Sequence, residues 1–366
     1  MFHSEGETVV ATARSASPIF IIGTERSGSN LLRLVLNAHS RIAVPHPPHF
    51  MRYLAPIAPA YGDLTVTANR RALTRDALTL LARHIHPWPA LPDVAGIVAD
   101  ASPTLFGIVA AVYERYRVSV GKSRWGCKST FMGDYADDVL AEYADARFVW
   151  LVRDPLDVAA SAKRSVFGPC HPLLMARLWR AQQERAGELA RRLGPETVHL
   201  MRYEDLVSTP ERQITRLCEF LGERVEPAML CHHRSREAGY TASLSESWRN
   251  VGEPISARRV GGHQDGLTER ERHYVLRATA PVAERLGYRA AEPGPARMPS
   301  PLAMAVRSAV LRSRVELASL RQDRNHRRRL SRDATVRWLR LKALVRRGTG
   351  ARRRAAGIGA TGMELG

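Results

Sequence analysis

The chain has 366 residues, 45% hydrophobic and 25% charged, with 55 Lys/Arg against 36 Asp/Glu and a net charge of +19. That length and apolar content support a real core in one large or two small domains, and the lack of any run of 18 apolar residues excludes a transmembrane helix from the prediction. The four cysteines, Cys127, Cys170, Cys218 and Cys231, make no CxxC pair, which fits small core residues in a reducing cytoplasm. Only 4 of the 55 basic residues are lysine, an arginine bias that points to a high-GC bacterial genome rather than to a function.

Residues 1–17 lack the basic start and apolar centre of a signal peptide and read as a disordered leader. Strands are predicted over 19–22, 42–44, 124–127, 148–152 and 198–201. Helices are predicted over 30–38, 69–85, 104–116, 134–143, 155–164, 172–193, 210–221 and 268–286. Thr268 with Glu271 three residues later opens the last of these, and Gly287 stops it. The alternation predicts an α/β domain over 18–290, a parallel β-sheet flanked by helices. Glu292-Pro293-Gly294-Pro295 and Pro299-Ser300-Pro301 mark its end. Beyond lies an Arg-rich extension, 291–366, with 18 Lys/Arg against 5 Asp/Glu, partly helical where 334–347 can form a basic amphipathic helix. Such a tail fits an anionic membrane surface, nucleic acid held without sequence preference, or a solvated segment.

The segment 18–39 is the most telling: an apolar strand breaks into Gly23-Thr24-Glu25-Arg26-Ser27-Gly28-Ser29-Asn30 and runs on into a helix. Strand, Gly/Ser loop and helix aim backbone N–H groups at an anion. The nucleotide-triphosphate loop needs Lys and then Ser/Thr after its second glycine; here Ser29 and Asn30 stand there, and the cation is Arg26 inside the loop. A second apolar run ends in Arg153-Asp154-Pro155, with Ser161 on the helix that follows. An Arg at a strand's C-terminal end and a Ser on the next helix can converge on one more phosphate.

Together the two segments resemble the PAPS-dependent sulfotransferases. Thr24-Glu25-Arg26-Ser27-Gly28-Ser29 matches the family's 5′-phosphosulfate loop, in the RSGS form of a bacterial branch. Arg153 through Ser161 matches its RxPxDxxxS element for the 3′-phosphate. The likeness continues weakly through Trp125-Gly126-Cys127-Lys128 and Arg202-Tyr203-Glu204-Asp205-Leu206 to about Tyr288. It implies a P-loop-like sulfotransferase fold. It also implies transfer of a sulfuryl group from PAPS to a hydroxyl or amine by in-line displacement, with PAP leaving.

Carried over by position, Thr24, Arg26, Ser27, Gly28, Ser29, Asn30, Arg153 and Ser161 become donor-binding candidates, with Arg259 in a basic Gly-containing loop as a weaker one. Arg26 would face the leaving oxygen, and Lys128 the sulfonyl oxygens. For the base, relatives with PPExHF carry a Glu where this chain has Pro47, in Val44-Pro45-His46-Pro47-Pro48-His49-Phe50. His46 and His49 flank that gap, with His46 slightly preferred; each reads equally well as a core histidine, and two ligands in a Pro-rich turn are too few for a metal. Cys231-His232-His233 reads as a helix face and 202–206 as a strand-to-helix junction.

The acceptor's walls fall to 51–92 and 168–175, whose Tyr53, Tyr61, Trp88 and Phe167 admit a small-molecule, glycan or lipid acceptor. Two alternatives stand beside the transferase: an ATP-dependent small-molecule kinase of related fold, and a non-catalytic protein that binds anions or nucleic acid through its tail.

Overall fold

The structure is a computed structural model that describes residues 17–89, 91–288 and 298–360, with side chains as far as 347. The expected leader, apart from Ser17, and the expected boundary at 290/291 lie outside the described residues.

Strand β1 (Ile19–Gly23) is apolar without alternation because both its faces are covered. Phe20 and Ile22 join one buried cluster, and Ile19 and Ile21 another on the opposite face. Helix α1 (Ser29–Asn37) buries Leu32, Val35 and Leu36 against that second cluster. Next come β2 (Ile42–Ala43), α2 (Phe50–Leu54), α3 (Thr67–Ala82), α4 (Val94–Asp100), α5 (Leu105–Ser119) and β3 (Arg124–Cys127). Then follow α6 (Ala136–Glu142), β4 (Arg147–Val152), α7 (Pro155–Ala162), α8 (Pro172–Leu193) and β5 (Val198–Arg202). In α8, His171 caps the first turn, Pro172 opens it, Leu173, Met175, Ala176 and Trp179 face inward, and Gly194 ends it. After β5 come α9 (Tyr203–Ser208), α10 (Pro210–Leu221), α11 (Pro227–Leu230), α12 (Arg236–Leu244) and α13 (Glu269–Arg285). The Thr268–Glu271 capping box expected at the start of α13 is present.

All five strands are parallel, in the order β2-β3-β1-β4-β5. The chain winds from β1 toward one edge and from β4 toward the other. The crevice at the C-terminal ends of β1 and β4 is thus the switch point at which such sheets take ligands.

The last two helices are α14 (Pro301–Gln322) and α15 (His326–Ala360). They pack on the body rather than trailing from it. Val336, Leu339 and Ala343 of α15 enter the first core cluster, and Lys342 Nζ pairs with Asp76 at 2.7 Å. Arg329 joins α15 to Glu316 of α14 at 2.6 Å. Arg312 of α14 donates to the carbonyls of Val166 and Gly168.

Candidate functional site

The first loop is shaped by residues with left-handed backbones. Gly23 has φ of 134°, and a Cβ there would fall 2.2 Å from the Leu151 carbonyl oxygen, so only glycine lets β1 turn this close to β4. Arg26 has φ of 73°, uncommon without glycine and sustained only where the surroundings hold it. Here its Nε donates to Ser161 Oγ at 3.1 Å and its Nη2 to the Ser247 carbonyl at 3.2 Å. Burial pulls its pKa down to about 10, which leaves the guanidinium charged at neutral pH. Gly28 caps α1 with no side chain bonded to the helix, so the first-turn N–H groups remain for another acceptor. Ser27 Oγ and Asn30 Nδ2 are buried and have no hydrogen-bond partner. Thr24 differs: its Oγ1 accepts from Gln183 Nε2 at 2.9 Å, and it supports the loop from beneath rather than lining the cavity.

The second element meets the first directly. Asp154 caps α7, accepting from the N–H groups of Leu156 and Asp157, and Pro155 occupies the first turn. Arg153 lies 4.3 Å over the Tyr203 ring and donates to Arg26 O at 3.4 Å, Asp157 Oδ2 at 3.2 Å and Arg259 O at 2.5 Å. Its Nε is buried without a partner. Asp157 also accepts from the N–H groups of Gly261 and His263, each at 3.0 Å. One buried carboxylate therefore fastens the loop after Arg259 to α7. The Arg259 side chain lines the cavity and reaches Asn250 Oδ1 at 3.3 Å.

At the other end, Lys128 follows β3 with 9% of its surface exposed and no hydrogen-bond or ion-pair partner among the described residues. Burial first, then the charge of Arg33, lowers its pKa to about 7. His49 has φ of 55°, its Nδ1 lies 2.9 Å from Ser129 Oγ, and its ring lines the cavity. His46 is in a buried histidine cluster: Nδ1 is 2.9 Å from His84 Nε2, and the ring stacks on His86 at 5.1 Å and beside Trp248 at 4.7 Å. Its Nε2 has no partner. Burial, then the nearby Lys128 charge, holds both imidazoles well below the usual histidine pKa. Arg33 and His86 meet Glu237 at 2.8 and 3.3 Å. Burial alone would push the Glu237 carboxyl up, but these two partners hold it down at about 2. Among the described residues no group of three or more His, Cys, Asp or Glu could hold a metal. Cys231-His232-His233 runs into a short 3-10 turn, His232–Arg234, instead of a helix face.

Of the site residues expected from the sequence, all except Thr24 and Ser27 line one cavity of about 1770 Å³. Small-molecule clefts hold roughly 300–1,000 Å³, so this one has room for two substrates side by side. Of the aromatic residues expected in its walls, Tyr53 and Phe167 line it. Tyr61 and Trp88 instead lie in the core, bonded to Asp76 and to the His46 carbonyl. Sequence reasoning missed Tyr203 beneath Gly28, the 246–256 stretch with Ser247 and Trp248, and Arg312, Arg329 and Arg332 from the C-terminal helices. Glu25 was also missed: Oε2 is buried without a partner, while Oε1 lies 3.7 Å from Arg52.

Residues 18–227 match the profile of the family described as the sulfotransferase family. An uncharacterized protein of Aquifex aeolicus is 24% identical over 246 residues, 65% of this chain but 29% of that protein's own length. The chain therefore spans less than a third of that curated relative. Among solved structures, the sulfotransferase domain of the Synechococcus PCC 7002 olefin synthase superposes with a TM-score of 0.54 at 19% identity, over 78% of this chain and 99% of that one. The sulfotransferase domain from the curacin biosynthetic pathway gives 0.52 at 20% identity, over 76% and 100%. At those identities the likeness is one of fold.

Proposed function

Since this chain belongs to the sulfotransferase family, we propose that it transfers the sulfuryl group of PAPS to a hydroxyl or amine of a small-molecule, glycan or lipid acceptor. One observation carries this reading: Arg26 of the first loop and Ser161 of the second element are hydrogen-bonded across the β1/β4 crevice. Two segments whose bonded residues lie 135 positions apart in sequence are thus drawn together, which supports one shared anion site. Its residues fit the donor. The uncapped turn of α1, with Asn30 Nδ2 lacking a partner, suits the 5′-phosphosulfate. Arg153 Nε, also without a partner, and Ser161 suit the 3′-phosphate.

PAPS would supply the activated sulfuryl group and depart as PAP. Arg26 would stabilise the charge that gathers on the leaving 5′-phosphate oxygen. Lys128 would hold the sulfonyl oxygens as a compact cation. His49 is the better base: Ser129 fixes Nδ1, which leaves Nε2 to accept the acceptor's proton as its oxygen or nitrogen bonds to sulfur. His46, preferred from sequence, is enclosed in its histidine stack. Ser29, standing where a phosphate-loop Lys would, weighs against the kinase alternative. The four unpaired cysteines support a reducing, cytoplasmic setting.

Calorimetric titration with PAP tests the reading. Micromolar binding is expected, with ATP and AMP much weaker and Arg153→Ala reducing affinity by about 10- to 100-fold. With an acceptor in hand, Arg26→Ala should lower kcat by about 10²–10³. A folded protein that takes up no PAP overturns the donor assignment.

A further inference from the structure

The outer sides of α14 and α15 carry apolar rows that nothing else in the described fold covers. On α15, Leu330, Ala334, Trp338, Leu341 and Val345 recur every three or four residues, which sets them on one side of the helix. Trp338 is 49% exposed, Leu341 62% and Val345 67%. The opposite side supplies Val336, Leu339 and Ala343 to the core. Helix α14 repeats the pattern with Leu302, Val306, Val310, Leu317 and Leu320, and Ser319 is its sole buried residue. A single exposed leucine is ordinary, but two continuous rows mark a contact surface.

Charge selects what covers it. Residues 301–347 hold 14 Lys/Arg against 3 Asp/Glu. By helical rotation Arg327 sits within the α15 row, Arg337 at its margin and Arg340 to one side, all three exposed. A second copy would bring the same excess of positive charge against it. An anionic bilayer offers the opposite charge, accepts the apolar row below its headgroups, and lets arginine stems reach up to phosphates. No described helix is long and apolar enough to cross a membrane, so these would lie along its surface.

We propose that the outward faces of α14 and α15 seat on an anionic lipid bilayer. Arg312, Arg329 and Arg332, on the inward sides of the same two helices, line the cavity, so docking holds the cavity about one helix thickness from the lipid surface. Taken with the transferase reading, on which this one step rests, the bilayer becomes the source of the acceptor hydroxyl or amine.

The experiment is co-sedimentation of the full chain with phosphatidylcholine vesicles, alone or with about one third phosphatidylglycerol, in low and high salt. Binding is expected only with the anionic lipid and should fall about tenfold or more in high salt. The pair Trp338→Glu and Leu341→Glu should lower it by about tenfold or more with an unchanged melting curve. If that variant melts early, Leu330→Gln with Leu341→Gln, on the same row, serves instead. Equal binding to neutral vesicles, or binding that survives these substitutions, overturns the proposal. So does a dimer in light scattering that the same substitutions dissolve, which would give the face to a second copy. Retention of mixed-sequence RNA in preference to vesicles overturns it as well. PAP titration of the same samples separates the two readings. Vesicle binding without PAP binding leaves docking intact and fails the donor assignment; the reverse outcome fails docking alone.

Discussion

Lys128 is a largely buried ammonium group in the cavity wall with no ion-pair partner among the described residues, and this makes its charge depend on what occupies the cavity. Its pKa of about 7 lies far below the ~10.4 of an unfolded chain. Below about pH 7 the group is charged in both folded and unfolded states, and burying that charge opposes folding. Between about pH 7 and 10 the folded protein has shed a proton that the unfolded chain keeps, so the penalty fades as pH rises. Near pH 8 a bound dianion should draw the proton back. Calorimetry of PAP binding in buffers of different ionisation heat should then register an uptake approaching ~1 proton, and almost none for Lys128→Met. An uptake that is unchanged in Lys128→Met would assign the proton to another group. Arg26 and Arg153, which follow the ends of β1 and β4, and Ser161, near the end of α7, were expected together from the sequence, and they do meet at one cavity. Proximity to Pro47 could not show the different surroundings of His46 and His49. The distinction comes from His84, His86, Trp248 and Ser129, which reach them from other parts of the chain.

Five strands and eight helices could be read from apolar runs and caps to within three residues, because buried parallel strands and amphipathic helices leave strong periodic signals. Helices α2, α4, α9, α11, α12 and α14 were missed; the first five, at four to nine residues, are too short to show a period, and tertiary packing holds them. Helix α9 matters most, since it carries Tyr203 beneath the first loop. At Gly28 a Cβ would fall 2.3 Å from the Tyr203 ring, on a backbone with φ of 91°. Gly28→Ala should cost roughly 2 kcal/mol or more in thermal unfolding and weaken PAP binding. Adding Tyr203→Ala removes the clash but not the backbone strain, so rescue should be partial. Full rescue would show that φ at this position carries no cost.

Across the whole molecule, the Pro-rich stretch near 292–301 reads in the sequence as the end of a domain, and the helices beyond it pack on the body. The sequence could not show that α15 is apolar on two opposite sides, since one side reads as a core face only when its partners in α3 and the 3-10 turn Ala58–Tyr61 are known. Burying a side chain such as Leu339 contributes about 1.5–3 kcal/mol. Ending the chain at residue 300 should therefore lower the melting temperature measurably, whereas a detached tail would leave it unchanged. The sheet order has one more consequence. The two loops proposed to grip the donor's anionic groups hang from β1 and β4, which are adjacent and parallel. Neighbouring strands keep a spacing of ~4.8 Å whatever their side chains. On the proposed donor assignment the sheet would act as a pair of calipers that gauges the gap between two negative groups on one ligand. A nucleotide with a single anionic end would then close one jaw only, however well that end is held.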